Sequence, residues 1–418
     1  MTYNCGVKES AVRRSAATTE ARTLRVQLTD IAYGGDSIGR VDDQVIFVSF
    51  GIPNETVIAT VHQAKRDFLR ATVSEVVTSS AARIEPRCKY FGACGGCQWQ
   101  HIDYQTQLVL KRKVVVDQLR RIGGFDGSRV ESTLPSPEPW HYRNHARFSV
   151  GSGGRLGFTR AGTHSFLPVD HCALMHPAIN DLLARMGGRL AGRFHQVAVR
   201  CGMNTDSLLV DPPVFVPGLS ASQQKPFLEE SLLGRRFRIS GASFFQVNTP
   251  QAERLVQLVI DRIEPTRDDI VVDAYSGVGT FGLLVAGRVK QVFGIEDSGA
   301  ALSDARLNAE GLENVRFVEG AVERVLPTID KPVDCVIIDP PRFGCRRDVI
   351  TELKRLRPRR IAYVSCDPAT LARDLRLLCD QEFELTSVQP IDMFPQTYHV
   401  ESLAILNGRN RVNWSEPC

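Results

Sequence analysis

The sequence predicts an α/β protein whose C-terminal part is a doubly wound, mostly parallel sheet. Three observations carry that expectation. From Pro250 onward apolar strand-like runs alternate with helix-like runs, with strands expected at Ile270–Ala274, Gln291–Glu296, Val315–Glu319, Asp334–Asp339 and Ile361–Ser365. The first of these strands enters a glycine-rich turn, Ser276–Gly282. The last stops on Ser365-Cys366-Asp367-Pro368 and feeds a helix-like run, Ala369–Leu378, which puts its end at the carboxyl edge where such sheets bind ligands. Two further strand candidates within 383–406 would close the sheet as an antiparallel pair.

The chain has 418 residues, enough for two or three domains, and 43% are hydrophobic, ample for buried cores. No run approaches about 20 uninterrupted apolar residues, so no membrane helix is expected. Residues 1–22 lack the apolar core of a secretory signal and read as a polar, disordered tail. The eleven cysteines, an odd number partly clustered, suit a reducing, cytoplasmic setting with metal or catalytic roles rather than a disulfide framework. Net charge is only +4, but residues 61–121 hold eleven Lys/Arg against five Asp/Glu. Lys354, Arg355, Arg357, Arg359 and Arg360 form a second basic knot. Such patches suit a polyanion, nucleic acid above all, or are simply solvated.

Short apolar runs separated by Gly-Gly, Asp-Asp and Pro-Asn turns predict a small β-barrel over 23–80, with Lys65-Arg66-Asp67-Phe68 as a loop suited to RNA. This stretch resembles the TRAM domain, an OB-like RNA-binding module. Cys88, Cys94 and Cys97 follow at C-x5-C-x2-C spacing, three thiols on one glycine-bearing loop, the pattern of a metal site. Cys172 is the best fourth ligand, with His101 and His171 as substitutes; zinc and an iron–sulfur cluster both accept four thiolates. An amphipathic helix is expected over 103–122, stopped by Gly123-Gly124, and a Pro-rich connector over 132–140. Arg143 and Arg147, interleaved with Tyr142, His145 and Phe148, are expected to share one face of a strand and to meet RNA.

In the C-terminal part, Asp273–Gly282 (DAYSGVGTFG) lets backbone approach a ligand, and Glu296, 23 residues after Asp273, can accept both ribose hydroxyls of an adenosine-bearing cofactor. The glycines alone do not separate a nicotinamide dinucleotide from S-adenosylmethionine. Asp339-Pro340-Pro341-Arg342 decides more: no nicotinamide enzyme needs an acid-Pro-Pro turn, whereas in methyltransferases it lines the pocket between sulfonium and acceptor. Cys366 sits where a nucleophile would sit, near a helix start whose dipole favours a thiolate; the alternative is a small buried hydrophobe.

Taken in order, C-x5-C-x2-C-Q, FFQVN, DAYSGVGTFG, GIE, DPPRFG, SCDPATLARDL and DMFPQTYHVE resemble the S-adenosylmethionine-dependent RNA uridine-5-methyltransferases that carry a TRAM domain and an iron–sulfur cluster, over about Leu24–Leu406. The resemblance implies a Rossmann-like class I methyltransferase domain at 244–418, behind a TRAM barrel at 23–80 and a central mixed domain at 81–243. It implies Cys366 as nucleophile at uracil carbon 6 and Glu401 as the base that removes the carbon-5 proton. It implies Gln246, Tyr275, Thr280, Glu296 and Asp339 around S-adenosylmethionine, and a 4Fe-4S cluster on Cys88, Cys94, Cys97 and Cys172. Thr280 stands where the family often has Asn, Ala321 offers no polar adenine contact, and Asp367 replaces the commoner Asn. The implied substrate is 23S ribosomal RNA, with transfer RNA as the other candidate, and a monomer is expected. Two competing readings are an RNA methyltransferase acting on an amine, which has no use for Cys366, and a metal-bearing RNA-binding protein that no longer catalyses.

Overall fold

The structure, a computed structural model, describes residues 22–190, 192–219 and 225–409; the tail expected over 1–22 lies outside them except for Arg22. Two compact units emerge: Ser37–Ser80 with the chain up to Asp30, and Ile31–Asp36 with Ala81 onward.

The first unit is built on a closed five-stranded barrel of β1 (Thr23–Ile31), β2 (Ser37–Val41), β3 (Gln44–Ser49), β4 (Thr56–Ala64) and β5 (Phe68–Thr78), in the order β1-β2-β3-β5-β4. Alternation does the work: Val26 and Leu28, Ile46 and Val48, Val57 and Ala59, Leu69 and Ala71 turn inward as its core. The Lys65–Asp67 turn joins β4 to β5, and Gln44 Nε2 holds the carbonyls of Lys65 and Arg66 at 2.8 and 3.0 Å.

In the second unit α1 (Tyr104–Gln118) starts on Asp103, whose carboxylate accepts the Thr106 N–H at 3.0 Å. It passes through a wide turn, Leu119–Gly123, and ends on left-handed Gly124, the stop expected from the sequence. A five-stranded antiparallel sheet follows, from β6 (His145–Val150), β7 (Leu156–Thr159), β8 (Phe166–Pro168), β9 (Gln196–Cys201) and β10 (Leu208–Asp211), ordered β10-β9-β6-β7-β8, with α2 (Pro177–Met186) against it. A hairpin, β11 (Phe227–Leu232) and β12 (Arg235–Ser240), leads into α3 (Thr249–Ile263). Only Arg147 lies on β6; Arg143 precedes the strand, half-buried, with its guanidinium turned onto the His145 carbonyl at 3.0 Å. The two arginines therefore do not form the single strand face expected.

The seven-stranded sheet comprises β13 (Ile270–Ala274), β14 (Gln291–Glu296), β15 (Val315–Glu319), β16 (Cys335–Ile338), β17 (Arg360–Ser365), β18 (Phe383–Ile391) and β19 (Glu401–Gly408). Its order is β15-β14-β13-β16-β17-β19-β18; β13 to β17 pair in parallel, and β19 and β18 close it antiparallel. Strands buried on both faces explain the near-continuous apolar runs. Val272, Ala274, Val336, Ile338, Ile361 and Tyr363 pack into one layer with α4 (Arg347–Leu356), α5 (Pro368–Leu378) and Val115 and Leu119. Val271, Cys335, Ile337, Ala362 and Val364 pack into the other with α3 and Phe281 and Val285. The edge strand β18 is covered by residues 129–134: Glu131 N–H donates to the Val388 carbonyl at 2.9 Å and Leu134 N–H to that of Pro390 at 2.8 Å. Among the described residues no helix is long and apolar enough to cross a membrane.

Candidate active site

The strand order reverses beside β13, so the crevice at the carboxyl ends of β13, β14 and β16 is the ligand site of this topology. The loop after β13 is shaped for close approach. Tyr275, Gly277 and Gly279 have φ of +63°, +56° and +88°, and a Cβ added at Gly277 would meet nothing within 4 Å, so the backbone borders open space. A Cβ at Gly282 would instead reach 2.9 Å from Asp273 Oδ2, the oxygen that accepts the Gly282 N–H at 2.7 Å. Asp273 is buried, its Oδ1 has no hydrogen-bond partner, and burial pushes its carboxyl up to about 7. Glu296, at the end of β14, is held by N–H donors of Gly277 and Ser298, both at 2.8 Å, which fixes its carboxylate at the crevice with further lone pairs to spare. Thr280 opens the short helix Thr280–Val285. Gln246 lies just before α3; its carbonyl accepts from Asn144 Nδ2 at 3.0 Å. Burial, and after it the charge of Cys345, raise the Tyr275 hydroxyl above its usual value.

Asp339 leaves β16 at the same edge. The residue is half-buried, its carboxyl enclosed, and burial raises it to about 7. Cys366 follows β17, and Glu401 opens β19 beside it, since Ser365 pairs with Ser402. Burial lifts Glu401 well above the usual carboxylate range, with Asp339 adding to the shift, and its Oε1 has no hydrogen-bond partner. Cys366 feels both carboxylates. Burial, then Glu401 and Asp339, push its thiol up to about 12, opposed by Arg342. Burial and the neighbouring carboxylates thus act against the thiolate that the start of the following helix favours. Arg342 was legible only as part of the Asp-Pro-Pro-Arg turn; its electrostatic hold on Cys366 was not.

Asp367, unexplained in the sequence, has a clear place. Oδ1 caps α5, accepting the N–H groups of Ala369 and Thr370 at 3.0 Å each, and Oδ2 accepts the Tyr33 hydroxyl. An Asn could cap but could offer Tyr33 no second acceptor oxygen. His399 is held neutral, its imidazole lowered to about 4 by burial with Arg342, Lys111 and Arg143 adding to the shift.

The four predicted metal ligands share one cavity without forming a tight group. Cys88, Cys94, Cys97 and Cys172 line one cavity of about 400 Å³ with Phe91, Phe158, Val169 and Met175. Burial, and more weakly the three other thiols, lift Cys97 to about 12. Among the described residues no group of three His, Cys, Asp or Glu side chains is gathered to hold a metal ion.

Part of each basic patch is used within the fold. Lys354 pairs with Asp380, Arg355 with Glu352, Arg359 with Asp269 and Arg360 with Glu264, so four of this knot's five cations are held in ion pairs. Lys111 is fully buried against Asp392, and Arg112 is bonded to backbone carbonyls of Val130 and Glu131. Their charge is structural, which sequence counting could not show.

A doubly wound sheet with a glycine loop, a ribose-facing acid and an acid-Pro-Pro turn defines a class I, S-adenosylmethionine-dependent methyltransferase. The comparisons narrow the class. The family model for tRNA (uracil-5-)-methyltransferases matches residues 224–409, and that for the TRAM domain residues 17–74. An uncharacterized RNA methyltransferase of Thermosynechococcus vestitus is 34% identical, covering 93% of this chain and 98% of its own. One of Halalkalibacterium halodurans is 32% identical over 95% of this chain and 100% of its own. The crystal structure of the Pyrococcus abyssi tRNA (uracil-54, C5)-methyltransferase with S-adenosyl-L-homocysteine superposes with a TM-score of 0.72 at 28% identity, over 92% of this chain and 100% of that one. The chain belongs to the TRAM-containing RNA uracil-5-methyltransferase family.

Proposed function

We propose that the protein methylates carbon 5 of one uridine in 23S ribosomal RNA, with Cys366 as nucleophile and Glu401 as general base. The observation that carries this reading is the convergence of Cys366, Glu401 and Asp339 at one sheet edge, close enough that each carboxylate raises the thiol. Carbon 5 of uracil is a poor nucleophile. Addition of the Cys366 thiolate at carbon 6 makes an enolate, carbon 5 attacks the sulfonium methyl, Glu401 takes the carbon-5 proton, and the carbon–sulfur bond breaks to return the thiolate. The cofactor's sulfonium is a cation, so its arrival beside Asp339 favours ionised groups and offsets the cost of burying them. The target uridine must leave its stack to reach Cys366. Phe244 and Phe343, 65% and 63% exposed beside Gln246 and Arg342, are suited to stack on the displaced RNA.

The same proposal places a 4Fe-4S cluster on Cys88, Cys94, Cys97 and Cys172. Four thiols bordering one largely apolar cavity fit a thiolate-bound group. When bound it would cross-link the Cys88–Cys97 loop to Cys172; the methyl chemistry does not pass through it. Iron and acid-labile sulfide assays check it, with about four of each expected per chain. The protein is taken to act as a cytoplasmic monomer.

A second substrate, transfer RNA, is favoured by the likeness to the Pyrococcus abyssi enzyme. Labelled S-adenosylmethionine offered to unmodified transcripts of both RNAs, followed by digestion to nucleosides, decides between them. Label in 5-methyluridine from the ribosomal transcript, lost in Cys366→Ala, is the expected result. Label in any other nucleoside overturns the thiolate mechanism.

A further inference from the structure

The segment Asp392–Val400 joins β18 to β19 and delivers Glu401. It has no regular secondary structure, yet it is largely buried, and its carbonyls are bound one by one from separate parts of the fold. The Met393 carbonyl accepts from Asn248 Nδ2 at 3.2 Å, that of Phe394 from Lys111 Nζ at 3.0 Å, and that of Pro395 from the Tyr142 hydroxyl at 3.1 Å. The Gln396 carbonyl accepts from the N–H groups of Gln98 and Trp99 at 3.2 and 3.1 Å. Those two residues directly follow Cys97, so the cysteine loop grips the segment that carries the base.

Gln396 itself is held at φ +69°, a conformation that non-glycine residues adopt only when their surroundings impose it. Gln107 of α1 imposes it. Its side chain is fully buried, and its Oε1 accepts the Gln396 N–H at 3.0 Å while Nε2 donates to Gln396 Oε1, also at 3.0 Å. The same Nε2 lies 3.1 and 2.9 Å from the carbonyls of Trp99 and Ile102. One amide thus ties the cysteine loop, α1 and the approach to Glu401 together.

We infer that Gln107 is a positioning residue for carbon-5 proton removal, acting through Gln396 to fix where β19 presents Glu401. The inference rests on the reading of Glu401 as the base. The step concerned is balanced within the site: the carboxylate takes the proton, the carbon–hydrogen electrons form the carbon 5–carbon 6 double bond, and the carbon–sulfur pair returns to Cys366. A displaced base leaves thiolate addition and methyl transfer intact and slows only this step. The methylated RNA then stays covalently attached to the protein.

The test uses the full-length protein, S-adenosylmethionine and the RNA transcript that it methylates, with the covalent protein–RNA adduct read on a denaturing gel. Glu401→Gln is the control and should accumulate adduct. Gln107→Ala and Gln396→Ala should both raise the adduct fraction, with kcat down about tenfold or more and the KM values for RNA and cofactor within twofold. Gln396→Ala keeps the backbone bonds, so it reads the inference even where Gln107→Ala fails to fold. Adduct in Glu401→Gln but in neither glutamine variant, or methyl transfer and adduct falling together, overturns the inference. No adduct in Glu401→Gln removes the reading of Glu401 as base, and this inference with it.

Discussion

The two edges of the seven-stranded sheet treat charge in opposite ways. At the amino edge Arg359 and Arg360 are both paired. Arg359 donates to the Ile263 carbonyl at 2.9 Å and pairs with Asp269 at 2.5 Å; Arg360 pairs with Glu264 at 2.7 Å and donates to the Arg262 carbonyl at 2.6 Å. At the carboxyl edge Asp273 Oδ1 and Glu401 Oε1 are buried without a hydrogen-bond partner, and Asp273, Asp339 and Glu401 are all raised. One edge spends its charges on holding the fold; the other leaves acids poorly satisfied, as a site that waits for a cationic cofactor and a proton must.

Exchanging single residues between these regimes tests the contrast. The largest effect is expected at the carboxyl edge: Cys366→Ala should reduce methyl transfer at least about 10⁴-fold while leaving the melting temperature and cofactor affinity in place. At the amino edge the reverse should hold. Arg359→Ala strands the buried Asp269 carboxylate and should cost about 2 kcal/mol, seen as a melting temperature a few degrees lower with kcat unchanged.

The third test is a pH profile of cofactor binding. Asp339, raised to about 7, is neutral below that pH and anionic above it. Affinity for the sulfonium cofactor should therefore rise as pH rises from 6 to 8, by up to about tenfold in calorimetry. S-adenosylhomocysteine, without the sulfonium charge, should show a smaller slope. Asp339→Asn should remove most of it, leaving the part due to Asp273, also raised to about 7. The smallest effect belongs to Asp367→Asn, which keeps a cap for α5 and loses one acceptor for Tyr33. Turnover should stay within about twofold and stability within about 1 kcal/mol, by the same assays.

The five parallel strands of the large sheet were legible to within a residue, because apolar runs ending at glycine, proline or acidic turns have few other ways to fold. That Cys366, Glu401 and Asp339 meet at one sheet edge, and that Cys88, Cys94, Cys97 and Cys172 border one cavity, agrees with the order of motifs. The meaning of individual charges was not. Lys111 reads as one more basic residue of a helix, and only the fold shows it enclosed with Asp392. Cys366 reads as a thiol at a helix start, and only the fold brings two carboxylates beside it. Gln107 and Gln396 are 289 positions apart, and an amide pair at that separation leaves no local pattern.

The pairing of Lys111 with Asp392 also bears on how the chain is made. The two residues are 281 positions apart, and α1 with the turn after it places Val115 and Leu119 in the same core as Phe383 and Val388. At roughly 5–20 residues per second, α1 leaves the ribosome some 15–60 s before its partners exist. Throughout that wait its apolar face has no sheet to cover it and its lysine no counter-charge. The nascent chain is therefore most exposed to mispairing between synthesis of α1 and of β18, and the catalytic layer is completed by a helix made long before it.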